Sequence, residues 1–200
     1  NSSIKKFKAR FCARGDTQIE GVDVFETYAP VVAWSTVRML MTMAVQLELH
    51  TRTCDISNAF VSAVLKSNEE IYLEMPRGFQ EDGMVYKLKK SLYGLWQSPK
   101  LFFDHLHLKL VDVMEFKQSD HDKCLFYRGN VIVVSFVDDL LFFSPDSKAI
   151  DDTLTELEGN FNITKDDEGQ DVFAYLGIEV RREQDEDGKL QISLHQPGLT

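Results

Sequence analysis

Apolar positions recur along this chain in two rhythms. Val37, Leu40, Met41, Ala44 and Val45 fall at the i, i+3, i+4 spacing of a one-sided helix, which predicts a helix over 35–48 with Ser35 as its N-cap. Residues 50–56 (H-T-R-T-C-D-I) read as a strand, and 57–65 as a short helix with Phe60 and Val64 on one face. Short strands over 71–74 and 85–88 flank the turn-rich M-P-R-G-F-Q-E-D-G. A second helix is expected over 99–113, with Pro99 in its first turn. Strands over 124–127 and 131–137 bracket a hairpin turn at Gly129-Asn130, and a tight turn at Asp138-Asp139 leads into 140–143. Ser147 caps a third helix that carries Ile150, Leu154 and Leu157 and closes at Gly159. A strand over 172–180 is turned back by D-E-D-G into 190–194. Helices on one face of a mostly antiparallel sheet make this an α+β fold.

Composition narrows the class. With 200 residues, 44% of them apolar and 14 of them Phe, the chain can bury a core and is not a disordered segment. No stretch reaches the roughly 18 uninterrupted apolar residues of a membrane-spanning helix. Three widely spaced cysteines, Cys12, Cys54 and Cys124, without C-x-x-C, point to a reducing compartment instead of a disulfide framework. An intracellular, cytoplasmic location and not a secreted one is the expectation. The chain opens on Asn1 and reads as an internal segment of something longer.

Charge is unevenly spread. The net −10 divides into 13 Lys/Arg against 11 Asp/Glu over 1–100, about +2, and 9 against 21 over 101–200, which is −12. Basic residues cluster in K-K-F-K-A-R and in K-L-K-K, so a polyanionic partner belongs against the first half.

The run V-S-F-V-D-D-L-L-F-F raises a chemical question. It places two adjacent carboxylates among β-formers, and no Lys, Arg or His stands between Arg128 and Lys148 to neutralise them. Ionised groups beside an apolar layer are costly unless paired or bound to a metal. Asp55 ends the strand T-R-T-C-D-I. If the two strands are neighbours, Asp55 and Asp138 face one another at strand ends. Oxygen-only ligands in small number suit Mg²⁺, and a pair of such ions supports transfer of a nucleotidyl group.

Five motifs, in order, carry a resemblance: K-A-R-F-C-A-R-G-D-T-Q, D-I-S-N-A-F-V, K-L-K-K-S-L-Y-G-L-W-Q-S-P, F-V-D-D and F-A-Y-L-G-I-E-V. Their order and spacing resemble copia-type retrotransposon reverse transcriptases from about Lys8 to the last residue. The resemblance implies the fingers and palm of a right-hand polymerase over 1–200, without thumb, connection or ribonuclease H. It further implies synthesis of DNA on a primed RNA or DNA template from deoxynucleoside triphosphates, within a Pol polyprotein housed in a virus-like particle.

Residue by residue, the resemblance implies that Asp55, Asp138 and Asp139 hold two Mg²⁺ ions, with Mn²⁺ as a substitute. Adjacent strand residues point to opposite faces, which makes Asp139 the least direct ligand. Phe60 matches the aromatic beneath the sugar, which excludes a 2′-hydroxyl. Tyr93 and Gly94 match the segment that cradles the nucleotide, Tyr93 standing where retroviral enzymes usually carry Gln. Lys8 and Arg14 match positions near the triphosphate and template, with Arg10 a rival to Lys8. Tyr175, Leu176 and Gly177 match the tip of the primer grip, and Lys165 a lysine that protonates pyrophosphate. Phe136 replaces a common Tyr, and Trp96 a common basic residue.

Three rival readings stand beside this one. His105-x-His107 and His121-x-x-Cys124 have zinc-like local spacing, but residues two apart on a helix point to different faces. A silent retroelement remnant would fold and bind nucleic acid without polymerising. A nucleotide cyclase would need neither the Phe60 gate nor Y-G-L-W-Q-S-P.

Overall fold

The computed structural model describes residues 9–66, 69–165, 172–175 and 178–196. It resolves into two compact units, one of Asn1–Ala29 with Phe60–His105 and one of Pro30–Ala59 with Leu106–Thr200.

In chain order the elements are α1 (Trp34–Gln46), β1 (His50–Ile56), α2 (Ala59–Ser62), β2 (Tyr72–Leu73), β3 (Tyr86–Lys87) and α3 (Ser98–Leu108). There follow β4 (Lys117–Gln118), β5 (Leu125–Arg128), β6 (Val131–Phe136), β7 (Asp139–Ser144), α4 (Ser147–Glu158) and β8 (Ile163–Lys165). Three strands close the chain: β9 (Val172–Tyr175), β10 (Ile178–Gln184) and β11 (Leu190–His195). The fold is α+β, as its sequence pattern implies.

The second unit is built on a six-stranded sheet in the order β4-β5-β6-β7-β1-β8, every pair antiparallel. Leu140, Leu141, Phe142 and Phe143 of β7 are all fully buried. Because side chains alternate along a strand, both faces of the sheet are covered there. The expectation of helices on one face is thus met by α4, which lies against β7 and β1, but the opposite face is enclosed as well. Ion pairs identify the α4 face. Arg52 approaches Asp151 at 3.9 Å, Arg128 meets Glu156 at 2.8 Å, and Lys165 meets Glu158 at 2.9 Å. The register Arg52↔Phe142↔Val133↔Phe126 puts these side chains on that same side.

In the first unit, Ala13, Ala63, Leu65, Ile71, Leu95 and Leu101 form a separate apolar cluster, with the β2–β3 hairpin packed on it through Leu73.

Five elements differ in extent or capping from their sequence expectations. The helix expected over 57–65 is only α2, because the backbones of Ala63 and Val64 pair instead with Ser91 and Lys90. The helix expected over 99–113 starts at Ser98 and ends in a π-turn, Lys109–Val113. The single strand expected over 172–180 is a hairpin, with Tyr175 opposite Ile178. Helix caps also shift. Asp146, not Ser147, caps α4 by accepting from the Lys148 N–H at 3.0 Å. The start of α1 takes its acceptor from far along the chain, since Asp122 receives the Ala33 N–H at 3.1 Å and the Thr36 hydroxyl at 2.6 Å.

Candidate active site

Strands β1 and β7 are direct neighbours, as the carboxylate argument requires. Their register sets Asp55 opposite Asp139, not opposite Asp138. Paired residues on adjacent antiparallel strands share a face, so these two carboxylates stand side by side. Asp138 occupies the second position of the two-residue turn between β6 and β7, which closes on the pair Phe136↔Asp139. The turn is therefore Val137-Asp138, one residue earlier than Asp138-Asp139. Val137 takes φ +54°, a left-handed conformation that costs a β-branched residue roughly 1–2 kcal/mol. The turn is held in turn by β1, where the Ile56 N–H donates to the Asp138 carbonyl at 2.8 Å. Asp55 is exposed, and Asp138 and Asp139 are half-buried.

Parity along β1 separates this edge from α4. Arg52 belongs to the α4 face, so Thr53 and Asp55 belong to the other, together with Asp139. That parity corrects one expectation. Lys165 sits opposite Cys54, on the α4 face, and its ammonium is paired with Glu158 at 2.9 Å. It is aimed away from the carboxylates and does not stand ready to protonate a leaving group beside them.

In the first unit a different group of site residues converges. The Phe60 ring meets Tyr93 edge-on at 5.0 Å between centroids and Phe102 at 6.2 Å. The Arg10 guanidinium lies 5.1 Å from the centre of the Tyr93 ring. The Ala13 N–H donates to the Tyr93 carbonyl at 2.7 Å. Gly94 follows at φ +93°, and a Cβ there would stand 2.1 Å from the Ala13 carbonyl oxygen. Gly15 is equally confined, since its Cβ would fall 1.9 Å from the Gly94 oxygen. Two glycines therefore permit the 13–15 backbone to lie directly on the 93–94 turn.

Arg14 is exposed and bound to Asp16 at 2.6 Å. That hydrogen bond raises the guanidinium pKa and holds the Asp16 carboxyl below its usual range. Gln18 ties the same segment down: its carbonyl accepts the Trp96 N–H at 2.9 Å, and its amide donates to Gln97 at 3.0 Å. Lys8, Leu176 and Gly177 lie outside the described residues, and Tyr175 ends β9.

The zinc-like spacings lead elsewhere. Cys124 is buried, which pushes its thiol up to about 11, and the His107 ring packs edge-on against Phe126 at 6.2 Å. Among the described residues no three His, Cys, Asp or Glu side chains are gathered closely enough to hold a metal by themselves.

Comparison with known proteins decides the family. The sequence profile described as reverse transcriptase (RNA-dependent DNA polymerase) matches residues 1–196. The chain belongs to the reverse transcriptase family. Among its relatives, the retrovirus-related Pol polyprotein from transposon RE2 of Arabidopsis thaliana is 33% identical over 189 residues, covering 91% of this chain and 13% of the relative. The Pol polyprotein from transposon TNT 1-94 of Nicotiana tabacum is 30% identical, covering 90% of this chain and 14% of its own length. The Ty1-H Gag-Pol polyprotein of Saccharomyces cerevisiae is 31% identical, covering 87% and 10%. The chain thus spans a small part of each of these polyproteins. Among solved structures, telomerase from Candida albicans with a fragment of telomeric RNA gives a TM-score of 0.44 at 12% identity, covering 82% of this chain and 34% of that one.

Two features of the candidate site escaped sequence reasoning. Which aspartate faces Asp55 depends on a one-residue register, which no local pattern encodes. The Arg10–Tyr93 contact joins residues 83 apart. The only hint of it was the pairing of glycine-containing motifs, A-R-G-D and L-Y-G-L.

Proposed function

We propose that this chain carries the nucleotidyl-transfer core of an RNA-directed DNA polymerase. It would add deoxynucleotides to a primer 3′-hydroxyl on an RNA or DNA template, as one segment of a Pol polyprotein. The observation that carries this reading is the pairing of Asp55 with Asp139 across β1 and β7, with Asp138 in the adjoining turn. Asp55 and Asp139 at adjoining strand ends, with Asp138 in the neighbouring turn, are hard oxygen donors that would suit Mg²⁺ or Mn²⁺ once waters and phosphate oxygens complete the shell. Bound there, two such ions would supply acidification of the primer hydroxyl and neutralisation of pyrophosphate charge.

The protein's own groups do the rest. Asp55 and Asp139 set the position of the reacting end through the rigid β1–β7 ladder, and Asp138 is presented by a turn that β1 holds in place. Phe60 is the flat surface under the sugar, where a 2′-hydroxyl would collide with the ring. Gly94 lets backbone approach the nucleotide beside Tyr93. Arg14, with Lys8, is the cationic group for the triphosphate, and Arg14 must exchange Asp16 for phosphate oxygens to serve. Tyr175, Leu176 and Gly177 would steady the primer end. Asp104 and Lys100 are bonded to each other on α3 and take no part in this reading.

Primer extension on a primed RNA template with Mg²⁺, run beside the Asp138→Asn variant, tests the reading. Extension by the parent and its loss in the folded variant is the expected outcome. Substantial extension by the variant would remove the metal assignment, and none by the parent would leave two readings, a silent remnant or a segment that needs a thumb to work.

A further inference from the structure

Discrimination against ribonucleotides needs more than an aromatic ring at the right place. A ring free to swing by about an ångström would admit the hydroxyl it is meant to exclude, so its rotamer must be locked by neighbours. The first unit shows how Phe60 is locked. One neighbour is Phe102, fully buried and therefore fixed. Another is Tyr93, edge-on at 5.0 Å with an interplanar angle of 67°. Tyr93 is itself constrained in three ways. Its carbonyl is bonded to the Ala13 N–H, its successor Gly94 is wedged against the Ala13 oxygen, and its ring carries the Arg10 guanidinium.

We infer that Tyr93 is a positioning residue for sugar selection, acting through Phe60, and that the N-terminal segment Arg10–Gly15 sets the position of Tyr93. This rests on the polymerase reading above, in which Phe60 is the sugar gate. It assigns Tyr93 a role different from direct contact with the nucleotide. The stack Arg10–Tyr93–Phe60–Phe102 makes the fidelity of the gate depend on a segment about fifty residues earlier in the chain. The Tyr93–Phe60 contact is one between rings. Replacement by Phe therefore preserves the function and replacement by Leu does not.

The test is a comparison of kcat/KM for deoxy- and ribonucleotides in primer extension by the 200-residue chain. It uses Phe60→Ala, Tyr93→Leu, Tyr93→Phe, Arg10→Ala, and Tyr93→Leu combined with Phe60→Ala. Tyr93→Leu is expected to weaken discrimination about tenfold, the scale of a lost aromatic pair. Arg10→Ala is expected to weaken it less, and Tyr93→Phe to keep it. In the Phe60→Ala background, Tyr93→Leu should add nothing further, because the ring it positions is gone. If the Tyr93→Leu effect persists undiminished in that background, Tyr93 acts on the nucleotide itself and the inference is overturned. Unchanged discrimination in Tyr93→Leu, with discrimination lost in Phe60→Ala, overturns it while leaving the gate intact. Unchanged discrimination in Phe60→Ala instead removes the gate assignment, and with it this inference.

Discussion

At Gly94 two constraints coincide: a left-handed backbone and a carbonyl oxygen where a side chain would begin. Gly94→Ala should therefore cost roughly 3 kcal/mol in chemical denaturation, more than a surface glycine such as Gly78, which has only its positive φ to lose. The cysteines make a second prediction at this scale. Cys12 is exposed and should react with a maleimide within minutes at neutral pH, while buried Cys54 and Cys124 stay protected until the chain opens. Burial raises the Cys124 thiol from 9.0 to about 11, so the folded state keeps a proton that the unfolded state gives up between those values. Its contribution to stability is complete below pH 9 and is lost as pH rises toward 11. The fall of Tm over that window should be shallower in Cys124→Ala than in the parent. An equal slope in both would mean the thiol is not the group responsible.

Single elements are fastened by polar groups that arrive from a distance. Arg128, on β5, donates to the Met114 carbonyl at 2.5 Å where the π-turn ends, meets Glu156 of α4, and lies over the Phe116 ring at 4.6 Å. One side chain thus joins a strand, a helix end and a helix face. Arg128→Met should lower stability by about 2 kcal/mol, whereas Glu156→Gln, which removes only the partly exposed ion pair, should cost under about 1 kcal/mol. Asp122 is the corresponding anchor for α1. It accepts the Ala33 N–H, the Thr36 hydroxyl and the Cys124 N–H, all within 3.1 Å. Asp122→Ala would strand these donors and should cost roughly 2–3 kcal/mol, with Asp122→Asn milder because an amide oxygen still accepts. Equal stability of the alanine variant and the parent in a denaturant titration would show that water replaces the carboxylate.

For the whole molecule the decisive quantity is the distribution of charge. The chain is acidic overall, yet 1–100 is near +2 and 101–200 near −12. A template should therefore be held by the first half and repelled by much of the second. Lys89 and Lys90 are exposed, while Lys87 is occupied by Glu70. Lys89→Glu with Lys90→Glu should weaken binding of a primed template several-fold and make its salt dependence shallower by about one to two in the log–log slope. Reversal of Lys148, on the acidic half and already paired with Asp152, should leave both unchanged. If the two substitutions were equivalent, the charge of the molecule as a whole and not its asymmetry would control binding.

Much of this was legible in the chain itself. The helical spacing of Val37 to Val45, the alternation around Gly129-Asn130 and the unneutralised Asp138-Asp139 are local patterns, and local patterns survive without knowledge of the fold. They were enough for an α+β sheet protein and, with the ordered motifs, for its family. What they did not contain is anything that depends on a register or on a meeting of distant segments. A slip of one residue would place Asp138, not Asp139, opposite Asp55, and the alternation along either strand would look the same. The same parity carries Lys165 to the α4 face, where Glu158 takes it. Tyr93 meets Arg10 and Phe60 across long stretches of chain, and two glycines let the 13–15 and 93–94 backbones touch. Residue type determined which chemistry this protein can attempt; strand pairing and close backbone contact decided which side chains stand together to attempt it.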